Sequence, residues 1–166
     1  HYAYIKGHVD MIIPLVDRGA DVDIRDNNQR TPLHYACDIG NMEFAMALLD
    51  RGADINAITN NGHTPLHIAI DKGNMEFVMA LLDRGADINV RTVNPYTPLQ
   101  RACFRRNMNL AIALVDRGAD VNVRDNNQNT PLHYACDIGN MEFVMALLNR
   151  GADINASTNN GHTPLH

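Results

Sequence analysis

The tetrapeptide Thr-Pro-Leu-His begins at Thr31, Thr64, Thr130 and Thr163, and its variant Thr-Pro-Leu-Gln begins at Thr97. Each start lies 33 residues beyond the one before. Arg-Gly-Ala-Asp keeps the same step, from Arg18 through Arg51, Arg84 and Arg117 to Arg150. A fixed period of this length leaves few ways to fold. One tile is too small to bury an apolar face alone, so tiles must share a core with their neighbours.

The residues of a single tile say how. Thr31 suits the cap of a helix, and Pro32 suits its first position, where an N–H would have no partner anyway. Leu33, Ala36 and Cys37 form a short apolar stripe at i, i+3 and i+4. Gly40 can take the left-handed conformation that ends a helix. The pattern predicts a second helix from Met42 to Arg51, stopped by Gly52 in the same way. Asn61-Gly62 then signals a tight hairpin turn. Where two helices meet, Ala36, Ala69, Ala102 and Ala135 supply small residues.

A 33-residue unit carrying Thr-Pro-Leu-His-x-Ala resembles the ankyrin-repeat family, and the match runs the whole length of the chain. The resemblance implies an all-α fold with short β-hairpin loops, an α-solenoid of about five units. The units fall at 26–58, 59–91, 92–124 and 125–157, with partial units at 1–25 and 158–166, in a single array. It also implies a concave side lined by hairpin tips and first helices. Asn56, Asn89, Asn122 and Asn155 follow an Asp and an aliphatic residue, with a leucine eight residues earlier. That pattern is similar to the site modified by asparaginyl hydroxylases in ankyrin repeats, and Asp23 departs from it.

A longer period overlies the short one. Residues 25–58 and 124–157 differ only at Arg30/Asn129, Ala45/Val144, Asp50/Asn149 and Ile58/Ser157. Three tiles have therefore been duplicated. The terminal tiles are incomplete and no polar capping tile is visible. This predicts a fragment of a longer array, whose apolar end faces can stack end to end with another copy.

Chemistry has little foothold. The net charge of −5 argues against nucleic acid or an anionic membrane as a whole-surface partner. No apolar run reaches the ~18–20 residues of a membrane span. No phosphate loop, metalloprotease helix, nucleophile elbow or calcium loop is present, so no cofactor or metal is expected. His63 and His67 are four apart, but Thr64-Pro65 breaks any shared helix face. His34, His67 and His133 are expected instead to hydrogen-bond locally. Cys37, Cys103 and Cys136 form no CxxC pair, which points to the cytoplasm or another reducing intracellular compartment, that of a host cell if the protein is an effector. They are expected to be small buried hydrophobes, and helix spacing of ~8–10 Å keeps equivalent ones from bridging. Only Cys103 has basic neighbours that could activate a thiol. The arginine ladder from Arg18 to Arg150 could form a binding stripe, or complement helix dipoles at ~0.3–1 kcal/mol each.

One tile departs from the rest. Where residues 34–40 and 133–139 read His-Tyr-Ala-Cys-Asp-Ile-Gly, residues 100–106 read Gln-Arg-Ala-Cys-Phe-Arg-Arg. Tyr96 stands opposite Asn129, Pro95 sits at the hairpin turn, and the first tile has Ile5-Lys6 opposite Phe104-Arg105. Arg106 takes a glycine's place, at a cost of ~1–2 kcal/mol if its φ is positive. Two readings stand: a duplicated unit losing its regularity, or an aromatic and basic patch that contacts a partner.

The expected function is a protein–protein interaction module, a scaffold or adaptor without catalysis, that binds another protein on its concave surface. Tyr96, Arg101, Phe104, Arg105 and Arg106 would anchor an acidic or amphipathic segment. Asn27, Asn28, Arg30, Asp38, Asn60, Asn61, His63, Asp71 and Lys72 would make further contacts. The alternative is a substrate-recruiting ankyrin domain of a larger enzyme or effector whose catalytic part lies outside this chain.

Overall fold

A computed structural model describes residues 11–91 and 96–166. By its contacts the chain divides into two compact units, His1–Ala86 and Asp87–His166. The first contains α1 (Ile12–Val16), α2 (Pro32–Ile39), α3 (Met42–Leu49), α4 (Pro65–Lys72) and α5 (Met75–Asp83). Here α2 packs on both α3 and α4, and α4 packs on α5. The second contains α6 (Pro98–Phe104), α7 (Met108–Asp116), α8 (Pro131–Ile138) and α9 (Met141–Asn149). There α6 packs on α7 and α8, and α9 packs on α7 and α8. Pro95, Ile5 and Lys6 lie outside the described residues.

First helices start as the sequence predicts. The Thr caps are extended, with proline in the first turn. The fourth residue of each Thr-Pro-Leu-x run reaches back to the threonine N–H. His34 Nδ1 accepts it at 3.1 Å, His67 at 3.3 Å, His133 at 3.1 Å and Gln100 Oε1 at 3.0 Å. Second helices carry caps of their own. Asn41, Asn74, Asn107 and Asn140 each accept from the N–H three residues on, at 2.8–3.2 Å. Such caps are worth about 1 kcal/mol each.

The helix ends follow one scheme. Gly40 takes φ 73°. Asn41 N–H donates to the Ala36 carbonyl and Gly40 N–H to Cys37, so two otherwise orphaned carbonyls are satisfied. The second helix stops at Leu49 rather than Arg51. There Ala53 N–H returns to Leu48 and Gly52 N–H to Leu49, which tightens the last turn before the glycine is reached.

Burial falls on the framework positions. Leu33, Leu66, Leu99 and Leu132 are buried, as are Leu48, Leu81, Leu114 and Leu147 and the four alanines of the first helices. A fully buried leucine contributes about 1.5–3 kcal/mol. Cys37 and Cys103 are buried in the same layer. Cys136, expected to be buried with them, is exposed, because the described residues that follow α9 form no helix to pack on α8.

The loops turn back without forming strands among the described residues. Thr59 N–H donates to the His63 carbonyl at 3.0 Å, and Gly62 N–H to Thr59 at 2.9 Å. Gly62 has φ 72°, and Gln29 takes φ 60° at the matching place one tile earlier. The hairpin is thus a four-residue turn with a left-handed final residue, and too few cross-bonds follow to make a ladder. Neighbouring hairpins are tied to each other: Asn60 N–H donates to the Asn28 carbonyl at 3.0 Å, and Asn60 Nδ2 to Asn27 at 3.0 Å.

Candidate partner-binding surface

Much of what looked available for binding is already used between tiles. In the first unit Asp38 accepts from Lys72 Nζ at 2.8 Å and from Arg30 Nη2 at 3.0 Å. Lys72, and against the cost of partial burial Arg30, hold the Asp38 carboxyl below its usual range. The Arg30 guanidinium also lies over the Tyr35 ring, 4.3 Å from its centroid. His34 donates through Nε2 to the His63 carbonyl at 3.1 Å, which requires the neutral ring, since Nδ1 is already an acceptor. Burial first, and nearby arginines less strongly, lower the pKa of His34 to about 4. Asn27, Asn28, Asn60 and Asn61 stay exposed at the tips, His63 and Asp71 are half-buried, and Lys72 is exposed.

The arginine ladder is an inter-tile staple. Arg51 grips Asp17 through Nε at 2.6 Å and Nη2 at 3.0 Å, Arg84 bonds Asp50, and Arg150 donates to the Asp116 carbonyl at 3.0 Å. Arg18 and Arg51 also bond carbonyls at the ends of their own helices, at 3.1 Å and 2.9 Å, as the dipole reading expects. The asparagines singled out for hydroxylation are exposed and serve the same kind of linkage. Asp120 N–H donates to Asn89 Oδ1 and Asp153 N–H to Asn122 Oδ1, both at 2.8 Å. Asp23 accepts from Asp54 N–H at 3.0 Å, so any side-chain oxygen serves and the departure from Asn is harmless. Asn56 and Asn155 keep their own N–H bonded to the Asp two residues before, at 2.9 Å.

The second unit brings the aromatic and basic residues together. Tyr96 and Phe104 stack with centroids 5.9 Å apart and planes 28° apart. Phe104 is 58% exposed, unusual for a phenylalanine at the end of a helix. Arg105 and Arg106 are exposed beside it, and Arg101 is half-buried on the same helix. Arg106 has φ 55°, the left-handed conformation of the glycine it replaces. It pairs with Asp137 at 3.1 Å, where both side chains are about two-thirds exposed.

Gln100 forms the other half of this tile's departure. It keeps the cap bond to Thr97, but its Nε2 is buried without a hydrogen-bond partner. His133 spends the equivalent nitrogen on the His162 carbonyl at 3.2 Å. The shorter amide does not span the gap to the next hairpin.

Nothing reactive gathers around these residues. Burial pushes the Cys103 thiol up to about 12, so the neighbouring arginines do not activate it. His63 and His67 face each other with centroids 6.2 Å apart, yet no group of three or more metal-ligating side chains occurs among the described residues. No helix among them is long and apolar enough to cross a membrane.

Comparison with known proteins agrees with this layout. The model of a family described as ankyrin repeats (3 copies) matches residues 1–92, 40–125 and 99–166. The crystal structure of the ankyrin repeat domain of Bcl-3, described as a unique member of the IkappaB protein family, superposes with a TM-score of 0.87 at 31% sequence identity. The match covers 98% of this chain and 74% of that one. Comparison with curated proteins by sequence found no match. Ankyrin repeats are protein-interaction modules, generally without catalytic activity. Its period, its capped helix pairs and these matches make one conclusion plain: the chain belongs to the ankyrin-repeat family.

Proposed function

We propose that this chain is a non-catalytic scaffold or adaptor that holds a partner protein on its first-helix and hairpin surface, with the tile at 92–124 as the principal contact. The observation that carries the reading is the exposed Phe104 ring, stacked on the half-buried Tyr96 and carried on a segment with Arg101, Arg105 and Arg106, in the tile that departs from the shared pattern. Aromatic residues and arginine dominate binding energy at protein interfaces, because they bury much area and fork to carboxylates. Framework residues elsewhere are committed to caps and staples, so variation is free to serve recognition at this tile. The polar tips around Asn28 and Asn60 supply secondary contacts.

The test replaces Arg101, Phe104, Arg105 and Arg106 with the residues of the neighbouring tile: Arg101→Tyr, Phe104→Asp, Arg105→Ile and Arg106→Gly. Cross-linking and affinity capture of partners should drop sharply while urea unfolding shows an intact or stabilised fold. Unchanged capture by the more stable variant would remove the patch from the binding surface. The proposal extends to hydroxylation of the exposed Asn56, Asn89, Asn122 and Asn155. Mass spectrometry of protein from a eukaryotic cytosol, with no added oxygen at these residues, would exclude it.

A further inference from the structure

We infer that Asn61 and Asn160 are sites of spontaneous modification, where the side-chain amide is lost and the hairpin tip becomes aspartate or isoaspartate, at a rate set by opening of the turn.

Chemistry singles out these asparagines. The reaction begins when the backbone nitrogen of the following residue gives up its proton and bonds to the asparagine Cγ. The bond from Cγ to the side-chain nitrogen breaks, ammonia leaves, and a cyclic imide joins the two residues. Water then adds to one imide carbonyl and breaks its bond to the nitrogen. Opening at the side-chain carbonyl gives aspartate, and opening at the backbone carbonyl gives isoaspartate. A side chain on the following residue crowds the ring, and a proline there has no N–H to surrender. Glycine leaves the path open. Asn61-Gly62 and Asn160-Gly161 are the Asn-Gly pairs of the chain. At the equivalent places Asn28 and Asn127 precede Gln29 and Gln128, and Asn94 precedes Pro95.

The fold adds a second distinction at each tip. Asn60 Nδ2 donates to the Asn27 carbonyl at 3.0 Å, and Asn159 Nδ2 to the Asn126 carbonyl at 3.1 Å. The first asparagine of each Asn-Asn-Gly run is thus tied to the hairpin before it. Asn61 and Asn160 are exposed, and among the described residues neither side chain has a hydrogen-bond partner. Their amides can swing toward the next backbone nitrogen. That nitrogen is what the turn holds back: Gly62 N–H donates to the Thr59 carbonyl and Gly161 N–H to that of Thr158, both at 2.9 Å. A turn on an exposed rim opens far more often than the core behind it. Each opening sets a bare glycine nitrogen beside an unheld amide. Asn41, Asn74, Asn107 and Asn140 are protected by contrast, since each holds a helix N–H and precedes a methionine.

Conversion alters more than the charge of the tip. Isoaspartate carries the main chain through its Cβ, so the turn gains a backbone atom just before the glycine. The His63 carbonyl receives Thr59 N–H at 3.0 Å and His34 Nε2 at 3.1 Å. A lengthened turn moves that carbonyl and loosens the tie from the preceding tile. The bond from His133 to the His162 carbonyl, at 3.2 Å, depends on Asn160 in the same way.

The experiment incubates the chain at mildly alkaline pH and follows every asparagine by peptide mapping and mass spectrometry. Samples unfolded in urea and the variants Gly62→Gln and Gly161→Gln run alongside. Gln29 and Gln128 already close equivalent turns at φ 60° and 65°, so both variants should fold, and urea unfolding checks this. The expected result is exchange of the amide for an acid at Asn61 and Asn160, faster in urea than in the folded chain, with the other asparagines intact. In Gly62→Gln, conversion at Asn61 should be lost while Asn160 of the same molecule converts as before. Gly161→Gln should give the reverse. Conversion of Asn28 or Asn127 as fast as Asn61, or an unchanged rate beside the new glutamine, would overturn the proposal. So would a rate that urea leaves unaltered, or conversion in urea with none in the folded chain.

Discussion

The tile at 26–58 and the tile at 92–124 are built on the same frame and finish it differently. In the first, α2 ends at Gly40 with φ 73°, and His34 spans 29 residues to the carbonyl of His63. In the second, α6 ends one residue sooner, Arg106 holds φ 55°, and Gln100 leaves a buried nitrogen unbonded. Asn107 N–H still returns to Ala102, and Arg106 N–H to Cys103, so the closing hydrogen bonds survive the loss of glycine. The frame thus tolerates a strained residue and a missing tether while its core and caps stay in place. Stability has been given up at the positions where an aromatic and basic surface appears.

The comparison breaks most readily in the core. Leu33→Ala and Leu99→Ala should each cost about 2–5 kcal/mol in urea unfolding, because both leucines are fully buried. A much smaller loss at Leu99 would mean that the departing tile has a looser core, not merely an altered rim.

Acid should separate the two tiles next. His34 stays neutral in the folded chain down to about pH 4, whereas the unfolded chain takes up its proton near 6.5. Between those values the unfolded state binds more protons. The stability contributed by neutral His34 is complete above pH 6.5 and lost as pH falls toward 4, by roughly 3 kcal/mol. Urea midpoints across that range should show the loss, and His34→Gln, which copies the departing tile, should remove that share of it.

Helix ends offer a reciprocal pair. Arg106→Gly should stabilise the chain by ~1–2 kcal/mol, and Gly40→Arg should destabilise it by a similar amount. A side chain at Gly40 would meet open space, so the backbone conformation alone sets the penalty. Equal and opposite shifts in thermal midpoint would confirm that the two turns differ only in this residue.

The smallest effect is expected at the tether. Gln100→His should gain about 1 kcal/mol by carrying a ring nitrogen to the carbonyl of Asn129, as His133 does to His162. Hydrogen exchange of the hairpin at 125–129 should slow in that variant. An unchanged rate would show that the hairpin is held by other contacts, such as the bond from Asp125 N–H to Asn129.

Much of this was legible in the residues because the tile repeats. Thr-Pro-Leu-His named the start of the first helix, Gly-Ala-Asp followed the end of the second, and a glycine position filled by Arg106 announced a left-handed residue before any coordinates. The Asn caps were equally readable, since an Asn precedes the second helix of every complete tile. Other features needed three dimensions. Arg51 reaches back 34 residues to Asp17, and the distance depends on how tiles stack rather than on local spacing. The contact between Tyr96 and Phe104 closes across a loop and a helix, so sequence could place both on one tile but not ring against ring. Likewise the exposure of Cys136 depends on what covers α8, which no residue in its own tile records.

Links between hairpins and helix ends join a residue to another 31, 33 or 34 positions away, as with Asp23 and Asp54, Asn27 and Asn60, or Arg51 and Asp17. Donors and acceptors recur at the same step, so they are interchangeable from one tile to the next. A gene that gains or loses whole units of 33 codons leaves such donors facing equivalent acceptors, whereas a slip that is not a multiple of 33 strands a series of them. The bonding scheme therefore makes growth by duplication conservative, and the near-copy of 25–58 at 124–157 is the trace such growth leaves.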